Sequence, residues 1–170
     1  DTGADEAAFT IVCPKLNITD VDIPVAATNK HTVFSFGSPI SGSASYGGIK
    51  LYIRPVGNTN EVYLEWQSGG DTSIQTLGVY AGNSYLGNHQ FTVVFDPTSD
   101  VYLYDNGTLV ASSGGPPSVY PLRSGAAGFL RIGSDFDFTE GELFKGPMFG
   151  GFAFFNTVLT STQAAAITAQ

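Results

Sequence analysis

Ten short runs rich in valine, isoleucine, threonine, tyrosine and phenylalanine follow one another along this chain, each cut off by glycine, proline or an Asn/Asp/Ser cluster. They occupy residues 9–13, 32–36, 48–53, 61–67, 76–80, 89–95, 101–104, 108–111, 128–133 and 149–155. Runs this short, separated by turn residues and lacking a helical period, read as antiparallel strands of a sandwich or barrel. Ten of them in 170 residues predicts an all-β chain with two packed antiparallel sheets rather than a small barrel. A chain of this length can bury a full core as one domain, 1–170.

The sharpest local signal is "VYLYDNGTLVAS", residues 101–112. Asn-Gly between two apolar runs predicts a two-residue hairpin turn. Asp105 then faces Thr108, Tyr104 faces Leu109 and Leu103 faces Val110. One face carries Tyr102, Tyr104, Leu109 and Ala111, and the other carries Val101, Leu103 and Val110. Upstream, "NHQFTVVFDPTSD" supplies the preceding strand, stopped by Asp96-Pro97 because proline has no ladder donor. The one helical signal is "LTSTQAAAITAQ" at the end. Thr160 with Gln163 makes a capping box, and Leu159 and Ile167 are the anchors it offers.

Charge narrows the partners. Only 13% of residues are charged, against a usual ~25%. Seven basic and 15 acidic residues leave a net charge of -8, which argues against nucleic acid and against an anionic membrane surface. No run approaches the ~18 apolar residues of a membrane span, and no basic-then-apolar signal peptide opens the sequence, so no membrane insertion is expected. Cys13 is the lone cysteine, which excludes an intrachain disulfide; within "FTIVCP" it reads as a buried strand residue.

The order of pieces in the second half carries a resemblance. "LYDNG-LVAS", then "LRIGS", then "FKGPMFGGFAFFNTVLTSTQ" is similar to the laminin-G-like, concanavalin A-like lectin/glucanase jelly rolls. Their corresponding pieces are a "WHHVA" strand, a "LYVNG-LV" hairpin, an "IGG" strand and an "F-G-IDEVRIYN-ALS-EI" ending. His89 stands at a family histidine and Gly107 at the hairpin glycine. Gly133, Phe144, Gly146, Phe155-Asn156 and Leu159-Thr160 match the later pieces, so the likeness covers residues 87–168. No tryptophan precedes His89, and "PMFGGFAFFN" lacks the family's acidic residue. The resemblance implies a two-sheet antiparallel jelly-roll sandwich with a short C-terminal helix. It speaks to fold more than to activity.

Enzymes on this fold hydrolyse or cleave polysaccharides, and a retaining pair needs carboxyls ~5–5.5 Å apart. Glu61 and Glu65 share a strand face roughly 13 Å apart at ~3.3 Å per residue, with Tyr63 where a third acid would stand. They read as two solvent-facing strand acids. Arg54, His31, His89, Arg123 and Arg131 form no recognisable lyase cluster, and no GxSxG or phosphate loop occurs. No catalytic residue is therefore assigned, and the expectation is a module that is not an enzyme.

Asp135, Asp137, Glu140 and Glu142 in "GSDFDFTEGELFKG" are candidate ligands for Ca²⁺, against the reading of a solvated hairpin loop. Sugar binding stacks aromatic rings beside a few fixed polar groups. Tyr46, Asn83, Tyr85 and Tyr120 are loop candidates, and Trp66 reads equally as core or as sugar platform. Asn17 and Asn106 open N-x-[ST] glycosylation acceptors. These features point to a lectin-like module for a glycan or glycoprotein, located outside cells or on a cell or virion surface. A protein-binding attachment head, which would be expected to form a homo-oligomer, is the alternative; a polysaccharide-degrading enzyme comes third.

Overall fold

The computed structural model describes residues 8–19, 30–37, 47–56, 59–67, 74–79, 86–117, 129–134, 143–144 and 146–168. Its strands are β1 (Phe9–Val12), β2 (Lys15–Ile18), β3 (His31–Gly37), β4 (Gly48–Val56), β5 (Thr59–Gln67), β6 (Ile74–Val79) and β7 (Gly87–His89). They continue with β8 (Phe91–Phe95), β9 (Val101–Asp105), β10 (Thr108–Ser112), β11 (Phe129–Ile132), β12 (Met148–Phe149) and β13 (Ala153–Phe155), and a helix α1 (Ser161–Thr168) closes the order. The first sheet runs β10-β9-β8-β1-β13 and the second β11-β3-β4-β5-β6, all antiparallel. Alternate residues from both sheets meet in one core. Phe9, Ile11, Phe91, Val93, Phe95, Val101 and Leu103 of the first pack on Phe34, Ile49, Leu51, Ile53, Val62, Leu64 and Trp66 of the second. This is the expected all-β jelly-roll sandwich.

A third, three-stranded sheet, β12-β2-β7, was not expected. Two predicted runs break and change sheet, and a third ends where the chain passes into the new sheet. Run 9–13 ends at Val12, and the chain turns at Cys13-Pro14 into β2, a "KLNI" strand that the apolar pattern does not reveal. Run 89–95 splits at Gln90 into β7 and β8, and run 149–155 splits into β12 and β13. The break is sealed by hydrogen bonds the ladder no longer makes. Gln90 Nε2 donates to the Cys13 carbonyl at 3.2 Å, and Cys13 N–H donates to the Phe91 carbonyl at 2.9 Å. Buried backbone groups need such partners, so a glutamine at the bend substitutes for a strand neighbour. Leu16 and Ile18 then extend the same core. Cys13 is buried as expected, and burial pushes its thiol well above the ordinary range.

The β9–β10 hairpin forms at Asn106-Gly107 with Asp105 opposite Thr108 and Tyr104 opposite Leu109. The predicted Leu103–Val110 pair is replaced by Leu103–Ala111, because the register shifts between Leu109 and Ala111. A bulge of one residue moves the rest of the strand to the other face, so Ala111 as well as Val110 packs toward the core. On the outer side Val94 and Tyr104 meet α1 through Ala164. Thr160 N–H donates to Gln163 Oε1 at 2.8 Å and Gln163 N–H to Thr160 Oγ1 at 3.3 Å, completing the capping box. A cap of this kind contributes about 1 kcal/mol. Leu159 is buried as expected, whereas Ala164 rather than Ile167 is the fully buried helix residue.

Candidate functional site

The outer face of the second sheet concentrates charge and aromatic rings. Directly opposed residues share a face in an antiparallel sheet, so the register sets rows across it. One row runs Arg131, Ser35, Lys50, Glu65, Thr76. The next holds Thr32, Tyr52, Tyr63 and Gly78, and a third pairs Arg54 with Glu61. The inward-facing neighbours on the same strands are Ile49, Leu51, Ile53, Val62, Leu64 and Trp66. Strict alternation in "IKLYIR" and "EVYLEW" thus delivers an apolar face to the core and a polar aromatic face outward.

Side chains on this face are locked together. Tyr52 donates to Glu65 Oε2 at 2.8 Å, and the ammoniums of Lys30 and Lys50 each lie 3.5 Å from a Glu65 oxygen. Lys30 also sits 4.6 Å over the Tyr52 ring. Glu65 is 7% exposed, so it is a buried, cation-flanked carboxylate and not the solvent-facing acid expected from the sequence. Burial first, and the Glu65 charge second, push the Tyr52 hydroxyl above its ordinary range, keeping it a neutral donor.

Farther along, the Arg54 guanidinium lies 4.0 Å over the Tyr63 ring, and Tyr63 donates to Glu61. Tyr63 and Tyr52 rings stand 5.8 Å apart and 13° from parallel. Tyr63 is shifted upward by burial and by its bond to Glu61, while Arg54 is held above its usual value by hydrogen bonding with Tyr63. Gly78 makes room for the ring: a Cβ there would stand 2.9 Å from Tyr63 Cε1. Tyr63, Arg54 and Glu61 remain partly exposed, whereas Tyr52 and Lys50 are buried.

Of the sequence candidates, Trp66 takes the core alternative. It is 1% exposed, its ring edge-on to Phe95 at 6.4 Å, so it offers no surface to a ligand. Tyr46, Asn83, Tyr85 and Tyr120 lie outside the described residues, as do Asp135, Asp137, Glu140 and Glu142. Among the described residues no group of His, Cys, Asp and Glu is arranged to hold a metal ion. Asn17 sits on β2 opposite Asn88, and Asn106 is exposed at the hairpin turn. His89 is packed, its Nδ1 2.7 Å from Asp105 Oδ2 and its ring parallel to Phe91.

Arg54 and Arg131, which look scattered along the sequence, share the outer face. Two strands of "K-x-Y-x-R" and "E-x-Y-x-E" facing in register carry that signal. Arg131, by contrast, reaches the face only through β3.

A family model described as the concanavalin A-like lectin/glucanases superfamily, of laminin G type, matches residues 21–165. The chain belongs to this superfamily. No curated protein sequence matches it. Among solved structures, the CBM40 of the Ruminococcus gnavus IT-sialidase superposes with a TM-score of 0.65 at 17% identity, over 96% of this chain and 83% of that one. The same module bound to α2,3 sialyllactose gives 0.60 at 16%. The native heptameric SAP-like pentraxin of Limulus polyphemus gives 0.61 at 16% identity, over 95% of this chain and 70% of its own. The botulinum neurotoxin serotype G binding domain gives 0.63 at 16%, and the superfamily domain spans 37% of that chain. At these identities the likeness shows the fold. No helix among the described residues is long and apolar enough to cross a membrane.

Proposed function

We propose that this superfamily domain is a non-catalytic recognition module that binds carbohydrate through the outer face of its second sheet, displayed outside cells or on a particle surface. The observation that carries the reading is Tyr63, a partly exposed ring beside Gly78, with the Arg54 guanidinium over it and its hydroxyl donating to Glu61. An aromatic surface beside fixed polar groups is what sugar C–H faces and hydroxyls require. The likeness to a CBM40 module whose structure holds α2,3 sialyllactose, over 95% of this chain and 83% of that one, supports the same choice. Binding is favoured over hydrolysis because the carboxylates on this face among the described residues are already engaged: Glu65 by Tyr52 and two lysines, Glu61 by Tyr63.

A glycan array with the domain, in calcium and in chelator, tests the reading. Binding lost on Tyr63→Ala supports it, and calcium dependence points to residues 135–142. Absence of binding to every glycan refutes it.

Attachment to protein is the second reading. Phe129, Leu130, Phe149 and Phe154, 41–64% exposed, lie on β11, β12 and β13, each the edge strand of its own sheet. Open apolar edges favour contact with another chain. Concentration-dependent association in sedimentation is the expected sign.

A further inference from the structure

The two glycosylation acceptors read from the sequence are far apart along the chain, yet the fold brings them to one corner. Asn17 lies opposite Asn88 across β2 and β7, and the Asn106 amide nitrogen donates to the Asn88 carbonyl at 3.0 Å. Their side chains differ in what they are free to do. The Asn106 amide is committed at both ends, since its oxygen also accepts the Gln90 N–H at 3.0 Å. Asn17 is held by its backbone, whose N–H donates to the Pro147 carbonyl at 3.1 Å. Its side-chain amide makes no hydrogen bond to the described residues.

Alternation sets where Asn17 points. Leu16 and Ile18 are buried in the core, so Lys15 and Asn17 face outward from the third sheet. On the edge strand β12, Met148 stands opposite Leu16 and packs against the core. That turns Phe149, opposite Lys15, to the outside, where it is 59% exposed. Phe149 is thus the diagonal neighbour of Asn17 on the same face, a separation of ~7–8 Å that an aromatic side chain spans. Gly150 and Gly151 follow it, with open space where a side chain would stand.

We infer that Asn17 is an N-glycosylation site and that the first sugar of its glycan lies against the Phe149 ring. Thr19 completes the N-x-[ST] acceptor. In the step itself, Asn17 Nδ2 bonds to the anomeric carbon of an oligosaccharide carried on a lipid pyrophosphate. The carbon–oxygen bond to the phosphate breaks, the pyrophosphate departs with its electron pair, and the amide loses one proton. An outward asparagine on a strand whose other face is core accepts such bulk without disturbing the packing. The C–H face of the sugar then meets the aromatic ring, and Asn88, exposed opposite Asn17, faces its hydroxyls. Asn106 suits the chemistry less, because a sugar on its Nδ2 replaces one hydrogen of a nitrogen fixed at the β7–β8 break. The inference rests on the display outside cells proposed above, and not on which ligand the domain binds.

The test is secretion of the domain from a eukaryotic cell line, peptide mass spectrometry, and trimming of the glycan to its first sugar with an endoglycosidase. The host supplies export and the lipid-linked donor, so the outcome depends on the site alone. Asn17 is expected to carry the sugar. The one-sugar protein should unfold about 2–4 °C above Asn17→Gln, and that difference should vanish in a Phe149→Ala background. Far-UV spectra confirm that each variant folds. An unmodified Asn17 in the secreted protein overturns the site. A glycan at Asn17 whose effect on Tm is the same with and without the Phe149 ring overturns the packing. Neither result touches the carbohydrate-binding reading, which fails or stands on the glycan array and Tyr63→Ala.

Discussion

Replacing Asn106 by alanine tests how the sandwich holds its corner. Asn106 adopts φ +48°, its Oδ1 accepts the Gln90 N–H at 3.0 Å, and its Nδ2 donates to the Asn88 carbonyl at 3.0 Å. Its own N–H donates to the Gln90 carbonyl at 3.1 Å, so this one residue closes both backbone groups at the break between β7 and β8. Losing the acceptor leaves a part-buried donor unmet and costs about 1–2 kcal/mol, and the exposed Nδ2 bond adds about 0.5. Left-handed backbone costs alanine roughly 1 kcal/mol more than asparagine. The sum is about 3 kcal/mol, a fall in Tm of roughly 6–12 °C for a chain of this size. Urea titration of Asn106→Ala, Asn106→Gly and Asn106→Asp measures the parts. Glycine keeps the backbone and loses the amide, so it should cost about 2 kcal/mol, and aspartate, which keeps the acceptor, under about 1. An alanine variant within about 0.5 kcal/mol of the native protein would refute the reasoning.

His89→Ala removes the imidazole partner of Asp105, a carboxylate only 7% exposed. A loss of about 3–5 kcal/mol in denaturant unfolding is expected, and a loss below about 1 would contradict the role given to the pair. Asp100 is opposed by its partial burial but accepts from the Ser113 hydroxyl and the Gly114 N–H, and its pKa is lowered below 3.8. A carboxylate shifted down in the folded state stabilises above its unfolded value, and that contribution fades as pH falls through the folded one. Asp100→Asn should therefore destabilise at pH 7, with a deficit that shrinks below about pH 4. A deficit independent of pH would exclude the carboxylate charge as its source.

Much of the fold was legible because sandwich strands write their own pattern. β-branched and aromatic runs closed by turn residues marked β4, β5 and β8, the Asn-Gly pair marked the β9–β10 turn, and Thr160 with Gln163 marked the helix start. Changes of sheet escaped. A run such as 149–155 remains apolar across the break because both of its strands touch apolar neighbours, so composition does not record where one partner is exchanged for another. The bulge at Val110 escaped for a similar reason. Residues 108–111 fit either register, and packing of Ala111 toward the core sets the choice.

The same division holds for the site. Strand alternation by itself determined that Lys50, Tyr52 and Arg54 share a face, as do Glu61, Tyr63 and Glu65, because side-chain direction in a strand follows from local geometry alone. It also determined that the chain is β-rich, while composition made it acidic and short of cations. Only the tertiary structure decided that Lys30 and Arg131, far apart along the chain, join that face, that Glu65 is buried there, and that Trp66 turns inward. Those outcomes depend on which strands become neighbours and which face of a sheet meets the other. Both are set by closing one shared core, a condition that no local stretch of sequence contains.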